Sequence, residues 1–451
     1  MNVIFIALDT LRADHLGCYG YEKPTSPNLD RLASKGVVFE RCYASDIPTQ
    51  PAYTTMYTGR YGVEHGIVSH GSDIQALPSG FKLFTELLRG AGYSTVAVDN
   101  LAAMKPWFHR GYEYYVMPHG HIQLITADKV TNYALEWLKS HAEKKEKFFM
   151  FLHYWDPHTP YLPPREYVEK FYRGDPYDRE KAETMRAFRN SPFYPLHGKW
   201  IEDLLGDVQD IEYISALYDA EIAFMDDQLG RLFTYLEEID MMNNTLIVVT
   251  ADHGESLTEH SIFFDHHGVY ETNIHVPLIL YAPSLLPQGL RVKSLVGHVD
   301  IAPTILSVAG IQAPGDIRGT SLLKIVENEA EEREYVVSGE CTYQAYRAIV
   351  TRDGWKLIKK IGGDLYGRPR IQLYNVLKDP GEVEERSGSN PDLVRELEYR
   401  LDRWVEENLG EKPDPMRIQL QAGLPGHAWL RRALKSRGIA WEEWLQKQRY
   451  I

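Results

Sequence analysis

The chain opens on an uninterrupted apolar run at residues 3–8, rich in β-branched side chains, that stops at Asp9. A run with no alternation of polar and apolar positions predicts a strand buried on both faces, as in a parallel sheet covered by helices. The same design recurs. Residues 95–98 end at Asp99 and Asn100, residues 148–152 end at His153, and residues 245–250 lead into Asp252 and His253. Residues 26–35, 82–90, 126–145 and 211–239 read as the helices between them. Strands alternating with helices predict a doubly wound α/β fold with a mixed, mostly parallel sheet flanked by helices. Ligands of such sheets bind beyond the carboxyl ends of the strands, so the polar residues that follow each run are the first candidates for chemistry.

The pattern breaks in three places. Residues 160–200, rich in Pro, Tyr and Arg, read as a loop insertion or lid near the site. Around residue 336 a second unit begins, with strand-like runs in 345–360 about an Asp353-Gly354 turn signal and an amphipathic helix at 391–408. Residues 411–451 read as a helical tail carrying Trp429, Trp441, Trp444 and Tyr450, aromatic groups expected to pack on the core or on a second subunit, as in a homo-oligomer. The division expected is a catalytic α/β domain at 1–335, a smaller α+β subdomain of sheet and helix at 336–410, and the tail at 411–451. A chain of 451 residues accommodates two to three such units.

Composition narrows the function. Hydrophobic residues at 44% and charged residues at 25% are ordinary for a soluble globular protein. The formal charge is −14 and is spread along the chain, which argues against a nucleic-acid footprint, since that needs Lys and Arg massed on one face. Cys18, Cys42 and Cys341 are too few and too scattered for a disulfide framework or a thiolate metal cluster, and fit a reducing compartment. The apolar run at the start is strand-length and lacks the basic flank of a signal peptide, and no segment approaches the ~18 apolar residues of a membrane span. The expectation is a cytoplasmic protein with no membrane partner.

Asp252-His253-Gly254-Glu255 is the sharpest local motif. A carboxylate and an imidazole in tandem after a strand can reach one metal ion, and the glycine lets the backbone turn beneath it. Asp9, at the end of another strand, would complete such a site. A third element is residues 47–60, where Thr49 lies between Pro48 and Pro51 at the start of a helix. Backbone N–H groups and the helix dipole favour an anion there. Thr49 alone could equally be a helix cap; it becomes a nucleophile when a metal lowers the pKa of its hydroxyl. For an acidic protein acting on an anionic ester, a metal ion also supplies the local positive charge.

Taken together these segments resemble the alkaline phosphatase superfamily, and within it the sulfatase-like branch. The resemblance is carried by Leu8-Asp9-Thr10-Leu11-Arg12-Ala13-Asp14, by residues 25–33, by residues 49–60, by Asp252-His253-Gly254-Glu255, by Tyr270-Glu271 with Val276-Pro277-Leu278, and by Asp300-Ile301-Ala302-Pro303-Thr304. It implies that Asp9, Thr49, Asp252 and His253 bind a metal. Sulfatases of this type carry a Cys or Ser, converted to formylglycine, at the slot of Thr49, with a Pro and an Arg after it. Here Pro51 is kept, the Arg position reads Tyr53, and Asp9-Thr10 replaces a paired aspartate. Threonine cannot form the aldehyde, so no formylglycine is expected. A Thr in this slot is similar to the phosphodiesterases of the superfamily, which pass through a phosphothreonine.

The resemblance further implies roles for His153, Asp156 and His158 in the substrate region. In residues 266–268, His267 falls where sulfatases have a substrate-binding Lys and two-metal relatives a His ligand. His158 and His267 are thereby candidates for a second metal or for the ester oxygens, with His153 and Asp156 as further candidates. Lys105 matches a lysine near the sulfate group. His260 is expected to lie outside the site. One imidazole among carboxylates suits Zn²⁺ or Mn²⁺ better than Ca²⁺, with one or two ions. The expected activity is hydrolysis of a small anionic ester, a phosphodiester or phosphonate monoester, through Thr49. A sulfatase is the first alternative and a phosphomonoesterase or mutase the second. A non-catalytic binding relic is disfavoured by the presence of all four ligands.

Overall fold

The computed structural model describes residues 1–120, 124–141, 144 and 146–448. The central sheet has eight strands in the order β11 (Leu290–Val292), β2 (Val37–Phe39), β10 (Leu278–Tyr281), β8 (Thr245–Thr250), β1 (Asn2–Leu8), β7 (Phe148–Tyr154), β5 (Ser94–Val98) and β6 (Tyr114–Val116). From β8 through β6 the neighbours run parallel, whereas β10 runs antiparallel to both β8 and β2. The four apolar runs picked out by the sequence are therefore four adjacent strands, β8-β1-β7-β5, sharing one carboxyl edge. Every residue of β1, β7 and β8 is buried, as continuous apolar strands require.

Helices flank the sheet in two groups. Pro27–Ser34, Ala127–His141 and Arg165–Phe171 pack on the long helix Ile211–Glu238, and Phe84–Gly90 and Ile301–Val308 pack with Thr49–Thr58. The long helix begins at Asp210, whose carboxylate accepts the Glu212 N–H and so satisfies one of the orphan donors of a helix start.

A second sheet has the order β16 (Ile371–Asn375), β15 (Trp355–Gly362), β14 (Ala345–Thr351), β13 (Tyr335–Glu340) and β4 (Asp46–Ile47). Asp353-Gly354 is the turn between β14 and β15, and Gly354 takes φ +87°, a conformation that favours glycine. Helix Pro391–Leu409 lays Leu397 and Leu401 on Val337, Ile349, Leu357 and Leu373 of this sheet. Its edge strand β4 comes from the N-terminal part of the chain and pairs parallel with β13, so the residues that lead into Thr49 are held by the C-terminal sheet. A small third sheet joins β12 (Val296–Gly297), β3 (Cys42–Tyr43) and β9 (His275–Val276).

The segment read as a loop at 160–200 contains short helices, Arg165–Phe171, Arg186–Arg189 and Tyr194–Trp200. Prolines and polar residues separate them into pieces too short for a helical period to show, although Pro195 sits in the first turn of the last one, where a proline is tolerated. The tail forms Pro415–Ala422, Pro425–Ser436 and Trp441–Gln448. Leu430, Leu434 and Trp444 share an apolar cluster with Phe193 of the insertion and Tyr343, so the tail's tryptophans pack on their own chain; Tyr450 lies outside the described residues. Among the described residues no helix is long and apolar enough to cross a membrane.

Candidate active site

The shared carboxyl edge of β8-β1-β7-β5 brings the site together. Asp9 follows β1, Asp252 and His253 follow β8, His153 is in β7, and Asp99 follows β5. Ligand atoms of Asp9, Asp252 and His253 lie within 4.8 Å of one another, and all three residues are fully buried. Asp252 Oδ1 accepts the Thr10 and His253 N–H groups at 3.2 and 3.0 Å. Asp252 Oδ2 is 3.2 Å from His253 Nε2 but makes no hydrogen bond, and Asp9 Oδ1 and Thr10 Oγ1 have none either. Buried carboxylate oxygens without partners are costly. A cation among them removes that cost, so the residues present fit a divalent metal.

His153 steadies this group from behind. Its Nε2 is 3.1 Å from Asp9 Oδ2 and its Nδ1 is 2.7 Å from Asp99 Oδ1. Burial disfavours the imidazolium, but the bonds to Asp9 and Asp99 outweigh it and lift the pKa to about 9.

Thr49 is the first residue of the helix Thr49–Thr58, with Pro48 as its cap, and its Oγ1 is 3.3 Å from His253 Nε2. The helix is fixed through Asp46, which accepts the Thr55 hydroxyl at 2.9 Å and the Gly62 N–H at 2.8 Å. Gly254 is required by close packing: a Cβ there would stand 2.0 Å from the Thr272 carbonyl oxygen. The next residue, Glu255, accepts the Tyr161 hydroxyl at 2.6 Å and pairs with His266 Nδ1 at 3.2 Å. Burial pushes its carboxyl up to about 8. The His266 ring stacks on His253 at 4.5 Å and lies 5.0 Å from His158.

Thr49, His158 and His266 open on a cavity of about 710 Å³, walled also by His70, Trp155, His197, Trp200, Tyr343 and Trp429. The volume is that of a small-molecule site.

Of the residues singled out from the sequence, Asp9, Thr49, Asp252 and His253 come together. His158 lies in the cavity wall with Thr49, its Nδ1 held by the Thr159 carbonyl at 2.6 Å. His153 stands behind Asp9 rather than in the wall. Asp156 turns to Glu221 of the long helix, and burial lifts its carboxyl to about 6. His267 gives both ring nitrogens to neighbours, Nδ1 to Asp265 at 2.5 Å and Nε2 to the Tyr366 hydroxyl at 2.7 Å. Lys105 donates to the Ser72 carbonyl at 2.6 Å and is not in the cavity wall. His260 stacks on Tyr270 at 3.7 Å.

The sequence reading marked Asp99 as a strand-end candidate but gave it no role, and gave none to His266, His70, His197 or Trp429. Asp99 carried the same signal as Asp9, a carboxylate ending a buried strand. For His266 and His267, adjacent on a loop, no periodicity tells which one faces the ligand.

A family profile described as Sulfatase matches residues 1–311, and one described as N-sulphoglucosamine sulphohydrolase, C-terminal, matches residues 258–407. An N-acetylglucosamine-6-O-sulfatase of Bacteroides thetaiotaomicron is 26% identical, over 91% of this chain and 88% of its own. The phosphonate monoester hydrolase of Agrobacterium radiobacter superposes with a TM-score of 0.71 at 21% identity, over 90% of this chain and 96% of its own. A protein solved in complex with its substrate D-glucosamine-2-N,6-O-disulfate superposes with a TM-score of 0.73 at 23% identity, over 92% of this chain and 99% of its own. At these identities the structural likeness speaks to the fold.

Proposed function

Because the chain belongs to the sulfatase family of ester hydrolases, within the alkaline phosphatase superfamily, we propose that it cleaves a phosphate-type ester, a phosphodiester or phosphonate monoester, with Thr49 as the nucleophile. The observation that carries this reading is the identity and setting of residue 49. It is a threonine, which cannot become formylglycine, at a helix start, with its hydroxyl 3.3 Å from His253 Nε2.

Asp9, Thr49, Asp252 and His253 would hold a divalent cation, Zn²⁺ or Mn²⁺, which supplies Lewis acidity to the Thr49 hydroxyl and offsets the charge of the ester. Thr49 Oγ1 attacks phosphorus in line, forming the Oγ1–P bond as the bond to the alcohol breaks. The proton lost by Thr49 is returned to the departing oxygen by a cavity imidazole. His266, whose Nδ1 is held by Glu255 and whose ring stacks on His253, is the imidazole assigned this role. Water then cleaves the phosphothreonine, restoring the hydroxyl and releasing the acid. His153 and Asp99 keep Asp9 in position throughout. The cysteines are all free thiols, which supports a reducing, cytoplasmic setting.

Sulfate-ester hydrolysis is the second reading, favoured by the names of the relatives. One experiment separates the two. Purified protein, stripped and reloaded with Mn²⁺, Zn²⁺ or Ca²⁺, is assayed on matched aryl phosphodiester, phosphonate monoester, phosphomonoester and sulfate ester, with Thr49→Ala alongside. The expected result is that the diester or phosphonate leads and that Thr49→Ala loses at least roughly 1,000-fold in kcat/KM. A leading sulfate ester, or a fully active Thr49→Ala, overturns the reading.

A further inference from the structure

A second cluster of metal-type donors lies where the insertion meets the loop that carries His266. His197, on the helix Tyr194–Trp200, places Nε2 2.6 Å from Asp265 Oδ2. His267 places Nδ1 2.5 Å from the same oxygen. One ligand atom from each of the three residues lies within 4.8 Å of the other two. Asp265 and His267 are fully buried, and the His197 side chain is 14% exposed.

An ordinary hydrogen-bonded array accounts for only part of this geometry. His197 Nε2 is at contact distance from the carboxylate yet forms no hydrogen bond with it or with any other group. A buried ring nitrogen that faces a carboxylate oxygen without aligning for a hydrogen bond is placed as a co-ligand of one cation would be. In the Thr49 site Asp252 Oδ2 has the same character, without a hydrogen bond although 3.2 Å from His253 Nε2, which itself meets Thr49 Oγ1.

The ligands are also held from outside. Asp265 Oδ1 accepts the His266 N–H at 2.8 Å, and His267 Nε2 is engaged by the Tyr366 hydroxyl at 2.7 Å. Such outer bonds fix the ring orientation and tautomer of metal-binding histidines. Two imidazoles and one carboxylate are a zinc-type donor set that leaves a fourth position open. His197 and Asp265 both belong to the wall of the Thr49 cavity, so that position borders the substrate space.

We propose that His197, Asp265 and His267 form a second metal site of zinc type, separate from the Asp9–Asp252–His253 group, that pins the insertion to the His266 loop and offers a fourth position to an anionic oxygen of the ligand. The ligand class this favours is an ester with a further acidic group beyond the one being cleaved. The site is independent of the identity of the nucleophile and of the scissile ester.

Full-length protein is stripped with a chelator, dialysed against excess Zn²⁺, desalted, and its metal counted by mass spectrometry, with folding checked by circular dichroism. The expected count is two ions per chain in the wild type and one in His197→Ala. His197→Cys, which restores a zinc donor, should recover the second ion. Asp252→Asn should lose the other ion and keep this one. One ion in both wild type and His197→Ala, or two in both, overturns the proposal, as does loss of both ions in Asp252→Asn, which would mean a single two-metal centre. An ion lost in His197→Ala but none in Asp252→Asn would leave this site standing and remove the Asp9 site instead.

Discussion

Asp9 has two carboxylate oxygens with different fates: Oδ2 is taken by His153, and Oδ1 has no partner. The taken oxygen fixes the carboxylate so that the other is aimed, and the chain of control runs on from His153 to Asp99. A metal site of this kind depends on such outer bonds, and losing one typically costs 10–100-fold in metal affinity. Asp99→Asn keeps the shape but replaces a charged acceptor with an amide. The affinity of the Asp9 site is expected to fall by about that factor, measured by competition with a chromophoric chelator, while the ion held by His197 is unchanged. An unaltered affinity would mean that His153 is held by packing alone, for instance by Tyr53, whose ring meets it edge-on at 5.0 Å. Asp9, Asp252 and His253 were legible in the sequence because a buried strand makes the residues after it conspicuous, and Thr49 because prolines flank it at a helix start. His266 was not, because its role is set by a turn of the loop and by Glu255, neither of which leaves a repeating pattern.

At the scale of elements, the nucleophile helix is gripped from two sides. Its far end packs with Ile301–Val308, and its near end is tethered by β4, which belongs to the C-terminal sheet. The stability of that sheet therefore bears on the position of Thr49. Helix Pro391–Leu409 covers one face of it and is locked by Glu398, which binds Arg370 at 2.6 and 3.1 Å and Lys359 at 2.9 Å. The Arg370 bonds first, and Lys359 after them, hold the Glu398 carboxyl down at about 2, against an ordinary value of 4.5. A pKa lowered in the folded state stabilises above the unfolded value, and the contribution is lost as pH falls from about 4.5 to about 2. Glu398→Gln should lower stability at pH 7 by less than about 1 kcal/mol, since the cluster is solvent-facing and screened. The gap in Tm between wild type and variant should close as the buffer is taken from pH 5 towards pH 3, and a gap constant with pH would show that packing, not charge, was lost. The amphipathic stripe of this helix could be read from the sequence. That β4 joins its sheet could not, since two residues carry no strand signal and the pairing spans nearly 300 positions.

For the whole molecule, the cavity is completed by parts of the chain that no local pattern connects. Trp155 just after β7 and Thr49 line it from the sheet side, the insertion supplies His197 and Trp200, and the tail supplies Trp429. Trp429 lies over the backbone of Gly71, where a Cβ would stand 2.5 Å from its ring, and meets Tyr343 at 5.7 Å. It is remote from Thr49 in sequence and makes no bond to any residue of the metal group. Its expected contribution is a flat apolar surface against which the alcohol part of the substrate rests, equally in the ground state and the transition state. Interactions of that kind appear in KM and leave kcat alone. Trp429→Ala should then raise KM about 5- to 10-fold for an aryl ester, the equivalent of about 1 kcal/mol of aromatic contact, with kcat changed by less than about twofold and no effect on a methyl ester too small to reach the wall. A fall in kcat at constant KM would instead mean that the tail tightens only as the bond breaks, and that the cavity closes on its substrate rather than standing preformed.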